Sequence, residues 1–396
     1  MRGLAALLFL YTAVVLAVAI PARAEPLRHV RIEAQDAPSL AVELLRSGFD
    51  VLEGETGPGT VDVIVTAEDL ELLRDRGLQP ELIATGRPYR DIQQEALGAA
   101  VPTGYLDLAA VLTRMQAVAD SFPSICRLVD LTAELGTPPT FEGRHLYAVK
   151  ISDNVATDED EPAFLQVAAH HCREIVTPVI GLLAIEQLTS QYGTDPAVTA
   201  VVDEYEIWIA PVWNPDGYEH VFNVDNLWRK NRRVFGPDVG VDLNRNYSQG
   251  WFNGCSGSTT PSSITYKGPA PSSEAETMTL EAFTERERFA KVLDHHSSGR
   301  EVLHGYACWT HPFDAYLQSE AQILSNQAGY GSIRAPSADG EHYEWQLGPR
   351  GAYAFLMETH TTFQPSFASA IAEAQQVWPA TLWMLERAIP LQGHVT

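Results

Sequence analysis

The sequence predicts an α/β fold with a mixed, largely parallel central sheet flanked by helices, preceded by a small N-terminal α+β domain of ferredoxin-like topology. In the C-terminal part, near-continuous apolar runs alternate with helical patterns, as expected for strands buried on both faces. The N-terminal part has shorter elements in the order strand, helix, strand, strand, helix, strand. A length of 396 residues allows two or three domains.

Residues 1–24 have the pattern of a signal peptide. Arg2 supplies a positive charge, residues 4–20 are an apolar run, and residues 22–24 (Ala-Arg-Ala) form a small-x-small cleavage site. An uncleaved membrane anchor is the alternative, because the run is nearly long enough to cross a bilayer. We therefore expect a secreted or periplasmic protein, without a stable membrane span once the signal is cleaved.

Residues 25–95 are predicted to form the small domain. Its strands are assigned from alternating apolar residues around a Gly-Pro-Gly turn, and its helices from helical spacing and from a cap at Thr66. The predicted elements are a strand at 27–34, a helix at 37–48, strands at 49–54 and 60–66, a helix at 67–78 and a strand at 81–85. Residues 86–104 lack clear periodicity, and we place the interdomain linker at 96–104.

The larger domain is predicted to span residues 105–396. It opens with a helical stripe that stops at Pro123, and a later helix is predicted to be capped by Thr177, with Pro178 at its first position. Buried strands are predicted at residues 163–169, 205–213, 289–295 and 352–357. Because ligands of open α/β sheets bind beyond the carboxyl ends of strands, the polar residues at those ends are candidates for a functional site.

Candidate metal ligands lie beyond two of these strands. His171 and Glu174 follow the first apolar run, but a His-x-x-acid match is expected about once or twice by chance in a chain with 12 histidines and 51 acidic residues. His296, after the third run, would complete a three-ligand zinc site with a position left open for water. Glu358 ends the fourth run, where a buried carboxylate is costly unless it has a partner or a function.

Basic segments between these strands supply candidate anion-binding residues. Arg229 lies in segment 228–233, and Asn244 and Arg245 lie in segment 240–247. The planar guanidinium of arginine suits two-point binding of a carboxylate. The formal net charge of −24 would repel phosphate backbones, so no nucleic-acid partner is expected.

Seven motifs resemble, in the same order, those of the zinc carboxypeptidases of the carboxypeptidase A family. The resemblance covers roughly residues 105–390. The motifs are HCRE (171–174) before a Thr-Pro helix start, NPDGY (214–218), WRK (228–230), DLNRNY (242–247), YKGPAPSSEAET (266–277), HS (296–297) and FLMETH (355–360). One such motif is weak evidence, whereas seven in order are specific.

The resemblance implies a zinc-dependent metallocarboxypeptidase with one Zn²⁺ per chain. Carried over by motif, the zinc ligands are His171, Glu174 and His296, the general base is Glu358, and Arg229 polarises the scissile carbonyl. Such an enzyme hydrolyses the C-terminal bond of a peptide or protein substrate through a metal-activated water, and we expect it to be monomeric. A same-fold peptidase acting on cell-wall peptides and an inactive binding module are the alternatives.

Substrate binding and regulation are implied in the same way. Asn244 and Arg245 match the pair that holds the terminal carboxylate of the substrate, which would make the enzyme an exopeptidase. The N-terminal domain, residues 25–95, resembles in its position and predicted topology the inhibitory pro-domains of the family. His170 and His295, which directly precede the two histidine ligands, are expected to point elsewhere.

The loop before the late glutamate departs from the family pattern. It lacks a tyrosine at the place where the family has one that closes over the substrate. Tyr343 is instead a candidate for a specificity position. Three acidic residues nearby favour either basic substrate side chains or a solvated loop: Asp339, Glu341 and Glu344.

Four cysteines allow at most two disulfides. They are Cys126, Cys172, Cys255 and Cys308. Cys172, beside the first ligand segment, is interpreted as a buried small residue, with zinc ligation as the alternative. A bridge between Cys255 and Cys308 is a further hypothesis.

Overall fold

The computed structural model describes residues 25–52, 57–97 and 104–388. The predicted signal peptide, residues 1–24, lies outside these ranges. Within them, no helix combines the length and the apolar character that crossing a bilayer requires.

The N-terminal residues form a four-stranded sheet with two helices. In chain order the elements are β1 (Arg28–Glu33), α1 (Ala37–Arg46), β2 (Asp50–Val51), β3 (Thr60–Val65), α2 (Ala67–Asp75) and β4 (Glu81–Thr85). The sheet order is β2-β3-β1-β4, with antiparallel pairing throughout. Helix α2 begins with the predicted cap, because the Thr66 side chain accepts a hydrogen bond from the backbone N–H of Asp69. The order of elements is the one that the sequence predicts.

A third helix, α3 (Tyr89–Leu97), occupies part of the segment in which the sequence predicts no regular structure. Tyr89 anchors it on the larger domain, with its ring edge-on to the rings of Tyr105 and Phe222. Helix α3 is thus held by tertiary contacts that a search for sequence periodicity does not detect.

The larger domain contains ten strands and nine helices within the described residues. The strands are β5 (Cys126–Asp130), β6 (Tyr147–Ile151), β7 (Ala163–Ala168), β8 (Glu206–Ala210), β9 (Val234–Phe235), β10 (Asp238–Val239), β11 (Lys291–His296), β12 (Glu301–Leu303), β13 (Ser332–Arg334) and β14 (Tyr353–Glu358). The helices are α4 (Leu108–Ser121), α5 (Leu131–Leu135), α6 (Val176–Gln191), α7 (Pro196–Glu204), α8 (Pro215–Asn223), α9 (Ala275–Glu287), α10 (Asp314–Gln327), α11 (His342–Leu347) and α12 (Phe367–Glu386).

Eight of these strands form one mixed sheet in the order β13-β12-β14-β11-β7-β8-β6-β5. Its centre, β14-β11-β7-β8, is parallel and consists of the four strands predicted from apolar runs. The flanking strands add antiparallel pairs at β12–β14, β8–β6 and β6–β5. The predicted α/β fold class is therefore confirmed, and the carboxyl ends of the central strands meet at one edge.

The start of α6 differs from the prediction. The helix begins at Val176, so Thr177 lies inside its first turn and is not the cap. The Thr177 hydroxyl donates to the carbonyl of Glu174 (2.9 Å) and accepts from the backbone N–H of Ala169 (3.1 Å). Thr177 therefore ties the helix start to the end of β7 and to the HCRE turn.

Candidate active site

The residues predicted to form the site all line one cavity at the carboxyl edge of the central sheet. They are His171, Glu174, Arg229, Asn244, Arg245, His296 and Glu358. Except for Glu358, which is partly exposed, all of them are buried. The position agrees with the expectation that ligands of α/β sheets bind beyond strand ends.

Donor atoms of three residues form a compact triangle in this cavity. Nδ1 of His171 lies 2.8 Å from Oε1 of Glu174 and 3.1 Å from Nδ1 of His296. Nδ1 of His296 lies 3.2 Å from Oε2 of Glu174. Tetrahedral zinc with imidazole and carboxylate ligands spaces its donors about 3.3 Å apart, so the triangle has the size of a zinc site.

Buried partners orient these donors. Nε2 of His171 lies 3.0 Å from Oδ1 of Asp242, which favours a proton on Nε2 and leaves Nδ1 to face the triangle. Burial opposes ionisation of Glu174, but the imidazoles of His171 and His296 outweigh it and lower the pKa of the Glu174 carboxyl. A deprotonated carboxylate and two imidazole nitrogens at one point are a donor set that suits Zn²⁺.

Asp242 contacts two of the predicted site residues, and the sequence motifs did not single it out. It is fully buried, and it accepts hydrogen bonds from Arg229 (Nε to Oδ2, 2.9 Å) as well as facing His171. Burial opposes its ionisation, but Arg229 and His171 hold its pKa well below the usual range. The DLNRNY motif contained the signal, because it places an acidic residue two positions before Asn244.

Glu358 lies next to the triangle because of strand register. The parallel pairing of β11 with β14 sets Glu358 directly beside His296. Both residues end their strands at the same edge of the sheet, and both line the cavity. A carboxylate in this position can take a proton from a water molecule held at the triangle.

The lining of the cavity also contains a buried ion pair between Arg245 and Glu341. Nη1 of Arg245 donates to Oε1 of Glu341 at 2.9 Å. Oε2 of Glu341 has no hydrogen-bond partner among the described residues. Asn244 reaches toward the metal triangle, with Nδ2 3.4 Å from Nε2 of His296, while its Oδ1 accepts from the backbone N–H of His342.

The acidic loop residues are buried, so the solvated-loop interpretation is wrong. Asp339, Glu341 and Glu344 are at most 4% exposed. Burial raises the pKa of Glu344 well above its usual value, and the neighbouring carboxylates of Glu341 and Asp339 add to this shift. Tyr343 does not line the cavity, since it is fully buried and its hydroxyl donates to the carbonyl of Gly305.

The doublet partners and Cys172 are not members of the triangle, although the ring of His170 stacks on that of His296 with centroids 5.6 Å apart. Nε2 of His170 lies 3.0 Å from the Tyr247 hydroxyl. His295 is fully buried, and burial lowers its pKa to about 3, with His296 adding to the shift. The Cys172 thiol donates to the carbonyl of Trp228 (3.0 Å), and burial raises its pKa. Cys172 therefore fits the predicted buried small residue.

The N-terminal domain reaches into the same cavity, which the sequence motifs do not predict. Asp50, at the start of β2, forms a two-point ion pair with Arg173, with Nη2 2.8 Å from Oδ1. Nη1 of Arg229 lies 3.6 Å from the same oxygen. Both Asp50 and Arg173 are buried, and residues 49–52 line the cavity.

Taken together, the mixed α/β sheet and the two-histidine, one-carboxylate triangle define a zinc hydrolase. The sequence pattern of zinc carboxypeptidases matches residues 111–380. The chain belongs to the zinc carboxypeptidase family, which confirms the resemblance drawn from its motifs. Zn²⁺ is the cofactor of this family, and the donor triangle fits it.

Individual relatives agree with this assignment. The chain is 31% identical over 278 residues to carboxypeptidase A1 of Sus scrofa, covering 65% of each sequence. It is 29% identical to carboxypeptidase A2 of Rattus norvegicus over 81% of this chain and 75% of that relative. Carboxypeptidase A of Helicoverpa armigera has a similar structure, with a TM-score of 0.74 at 22% identity over 90% of this chain and 96% of that one.

Proposed function

We propose that this protein is a metallocarboxypeptidase that removes residues from the C-terminus of peptides or proteins. The proposal depends above all on one observation, the donor triangle of His171, Glu174 and His296 in a cavity that also contains Glu358 and Arg245. The three triangle residues would hold one Zn²⁺. When bound, zinc acts as a Lewis acid and lowers the pKa of a water ligand towards about 7.

Glu358 is proposed as the general base and Arg229 as the carbonyl-polarising residue. From its place beside His296, Glu358 would take a proton from the attacking water and deliver it to the leaving amine. Arg229 lines the cavity, and the ion pair with Asp242 fixes its guanidinium. Burial opposes its charge, but Asp242 and Asp50 raise its pKa, so it stays cationic and suits a developing oxyanion.

Arg245 and Asn244 are proposed to hold the terminal carboxylate of the substrate. Arg245 is buried in the lining of the cavity, and its guanidinium can bind a carboxylate at two points. A substrate without a free C-terminus has no carboxylate to offer this guanidinium. This selection makes the activity that of an exopeptidase.

Glu341 is proposed to favour a basic residue at the substrate C-terminus. Its Oε2 is unpartnered among the described residues, and Glu341 lines the cavity. A lysine or arginine side chain entering beside Arg245 would give this oxygen a cationic partner. A ranked peptide series ending in Arg, Lys, Leu and Glu tests this preference through the ratios of kcat/KM.

Residues 25–95 are proposed to be an inhibitory propeptide. This proposal is supported by Asp50, whose carboxylate engages Arg173 and Arg229 inside the cavity and so takes space that a substrate needs. Cleavage between Leu97 and Gly104 should release the domain and raise activity. Unchanged activity after such a cut would identify a permanent accessory domain.

Export and a monomeric state complete the proposal. Export is supported by the signal-peptide pattern of residues 1–24 and by the disulfide that joins Cys255 and Cys308. N-terminal sequencing of the purified protein, together with sedimentation at several concentrations, tests both statements.

A further inference from the structure

Three loops meet beside the Arg245–Glu341 ion pair, whose two residues line the cavity. Loop A covers residues 248–258, loop B follows β12 and covers residues 304–313, and loop C follows β13 and covers residues 335–341. Asp339 of loop C lies between the other two and is fully buried.

Asp339 joins the three loops through its own hydrogen bonds. Oδ1 accepts from the backbone N–H of Ala307 in loop B (3.0 Å). Oδ2 accepts from Nδ2 of Asn253 in loop A (3.0 Å), and the backbone N–H of Asp339 donates to the carbonyl of Cys255 (3.2 Å). The carboxylate thus has partners on both of its oxygens, one from each neighbouring loop.

A disulfide closes the same junction covalently. It joins Cys255 of loop A to Cys308 of loop B, with their Cα atoms 6.2 Å apart. The Cys255 carbonyl accepts the backbone N–H of Asp339, and Cys308 directly follows Ala307, whose N–H donates to the Asp339 carboxylate. The disulfide therefore joins the two chain segments that hydrogen-bond to Asp339. Both cysteines are partly exposed, which leaves the bond within reach of a small reductant. We call this unit, Asp339 together with the Cys255–Cys308 disulfide, the clasp.

Loops A and C pack closely against Arg245. A Cβ atom added to Gly257 of loop A would lie 3.0 Å from Cγ of Arg245. Gly340 of loop C, at φ +96°, leaves its added Cβ 3.0 Å from the Arg245 carbonyl oxygen. The next residue, Glu341, forms the ion pair with the Arg245 guanidinium. Little free space separates these loops from the Arg245–Glu341 pair, so a shift of the loops must move the pair.

The metal end of the cavity is held by other contacts. His171 is fixed by Asp242, and Glu174 accepts from the backbone N–H of Ser297 at 3.1 Å. These contacts involve strand ends and the HCRE turn, and among the described residues no clasp residue takes part in the hydrogen bonds of the triangle. Opening the clasp should therefore leave the metal in place.

We propose that the clasp is a positioning device for the C-terminal residue of the substrate, acting through Arg245 and Glu341 and not through the metal centre. It rests on the function proposed above, since it refers to the pocket for the terminal residue. The clasp is specific in its effect: it sets substrate affinity and leaves the chemical step unchanged.

Reduction of the purified, zinc-loaded protein tests the proposal without refolding. A water-soluble trialkylphosphine cleaves the disulfide, yielding two thiols and the phosphine oxide, whose oxygen comes from water. With a peptide ending in arginine, we expect KM to rise about tenfold and kcat and zinc content to remain unchanged. The double variant Cys255→Ser/Cys308→Ser should have the raised KM already and should not respond to the phosphine. Cys126→Ser, at a buried free cysteine, is the matched control and should behave like the wild type.

Two variants of Asp339 separate positioning from direct attraction of a basic substrate. Asp339→Asn removes the charge but keeps the shape and the acceptor for the backbone N–H of Ala307, so KM should rise less than in Asp339→Ala. Asp339→Ala should raise KM as reduction does. Equal losses in both variants would assign Asp339 a charge role and overturn the positioning proposal.

Other outcomes also decide the question. An unchanged KM after complete reduction, verified by titration of two new thiols, would refute the clasp, as would a parallel loss of kcat and zinc. Binding of Nα-acetyl-arginine, followed by calorimetry, gives a readout that does not need turnover. If the protein has no peptidase activity but its affinity for Nα-acetyl-arginine falls on reduction, the proposed function would be rejected. The positioning role of the clasp would then still stand.

Discussion

The two ends of the cavity are built from different parts of the fold. At the metal end, His296 and Glu358 terminate neighbouring parallel strands, and the HCRE turn follows a third. At the substrate end, Glu341 lies on a loop held by the clasp, and one of its carboxylate oxygens is unpartnered among the described residues. The metal end is thus fixed by sheet register, whereas the substrate end depends on loop packing and on charge. Changes at the substrate end that alter specificity should therefore leave the rate of the chemical step nearly unchanged.

Removing a metal ligand should have the largest effect. We expect His296→Ala to lose zinc and at least about 10³-fold in kcat/KM, because the metal contributes several kcal/mol of transition-state stabilisation. Metal analysis and kinetics on the same sample measure both losses. His295→Gln changes the neighbouring histidine of the doublet and should keep the metal. Zinc retained in the His296 variant and lost in the His295 variant would reverse the assignment.

Replacing the proposed base should separate metal binding from turnover. Glu358→Gln is expected to retain zinc and to lower kcat by about 10²–10⁴-fold, the usual contribution of a general base. Glu301→Gln is the control, because Glu301 lies opposite Glu358 across β12 and β14 but its side chain pairs with Arg334. A kcat near that of the wild type in the Glu358 variant would reject its role.

Weakening the contact of the N-terminal domain with the cavity should raise the activity of the uncut protein and leave that of the cut enzyme unchanged. Asp50→Ala leaves Arg173 buried without its anion, which costs about 3–5 kcal/mol and favours undocking. We expect the activity of the uncut chain to rise about 10²-fold or more, up to the rate of the cut enzyme. Asp75→Ala removes the same charge from an exposed position of the same domain and should change nothing. An equally inactive Asp50 variant that becomes active on cleavage would show that other contacts block the cavity.

Changing the substrate end should alter preference more than rate. Glu341→Gln is expected to lower the kcat/KM ratio of arginine-ending to leucine-ending peptides about tenfold, which corresponds to about 1.4 kcal/mol. An unaltered ratio would exclude Glu341 as a specificity residue.

Acid should have the same effect as the Glu341 substitution. Burial raises the pKa of the Glu341 carboxyl, although Arg245 and Arg334 oppose the shift, so the carboxylate is protonated at a higher pH than an ordinary glutamate. The ratio of the two peptides should fall as the pH is lowered through this range, because the attracting charge is lost. The ratio cancels effects that the two peptides share, such as protonation of Glu358. A ratio that rises in acid would contradict the assignment.

The parts of the molecule that the sequence could predict are those governed by local patterns. Apolar runs predicted β7, β8, β11 and β14, and the motifs at their ends supplied the residues that line the cavity. Helix α3 and the N-terminus of α6 were missed, because tertiary contacts of Tyr89 and Thr177 determine them.

The long-range contacts of the site were equally beyond the sequence. The link from Asp242 to His171 spans 71 positions, and the pair between Asp50 and Arg173 spans 123. Burial of Glu341 and its neighbours depends on the packing of three loops, and the periodicity of the sequence does not predict how loops pack. The three residues of the donor triangle could be named from sequence motifs, whereas their buried partner Asp242 and the packing of the substrate end required the structure.

Mass spectrometric analysis of a library of peptides with free and amidated C-termini, incubated with the cleaved protein, tests the central claim most directly. The account predicts stepwise loss of single residues from free C-termini, fastest for lysine and arginine, abolished by a chelator and restored by Zn²⁺. Internal cleavage, equal cleavage of amidated peptides, or full activity in a metal-free sample would contradict it.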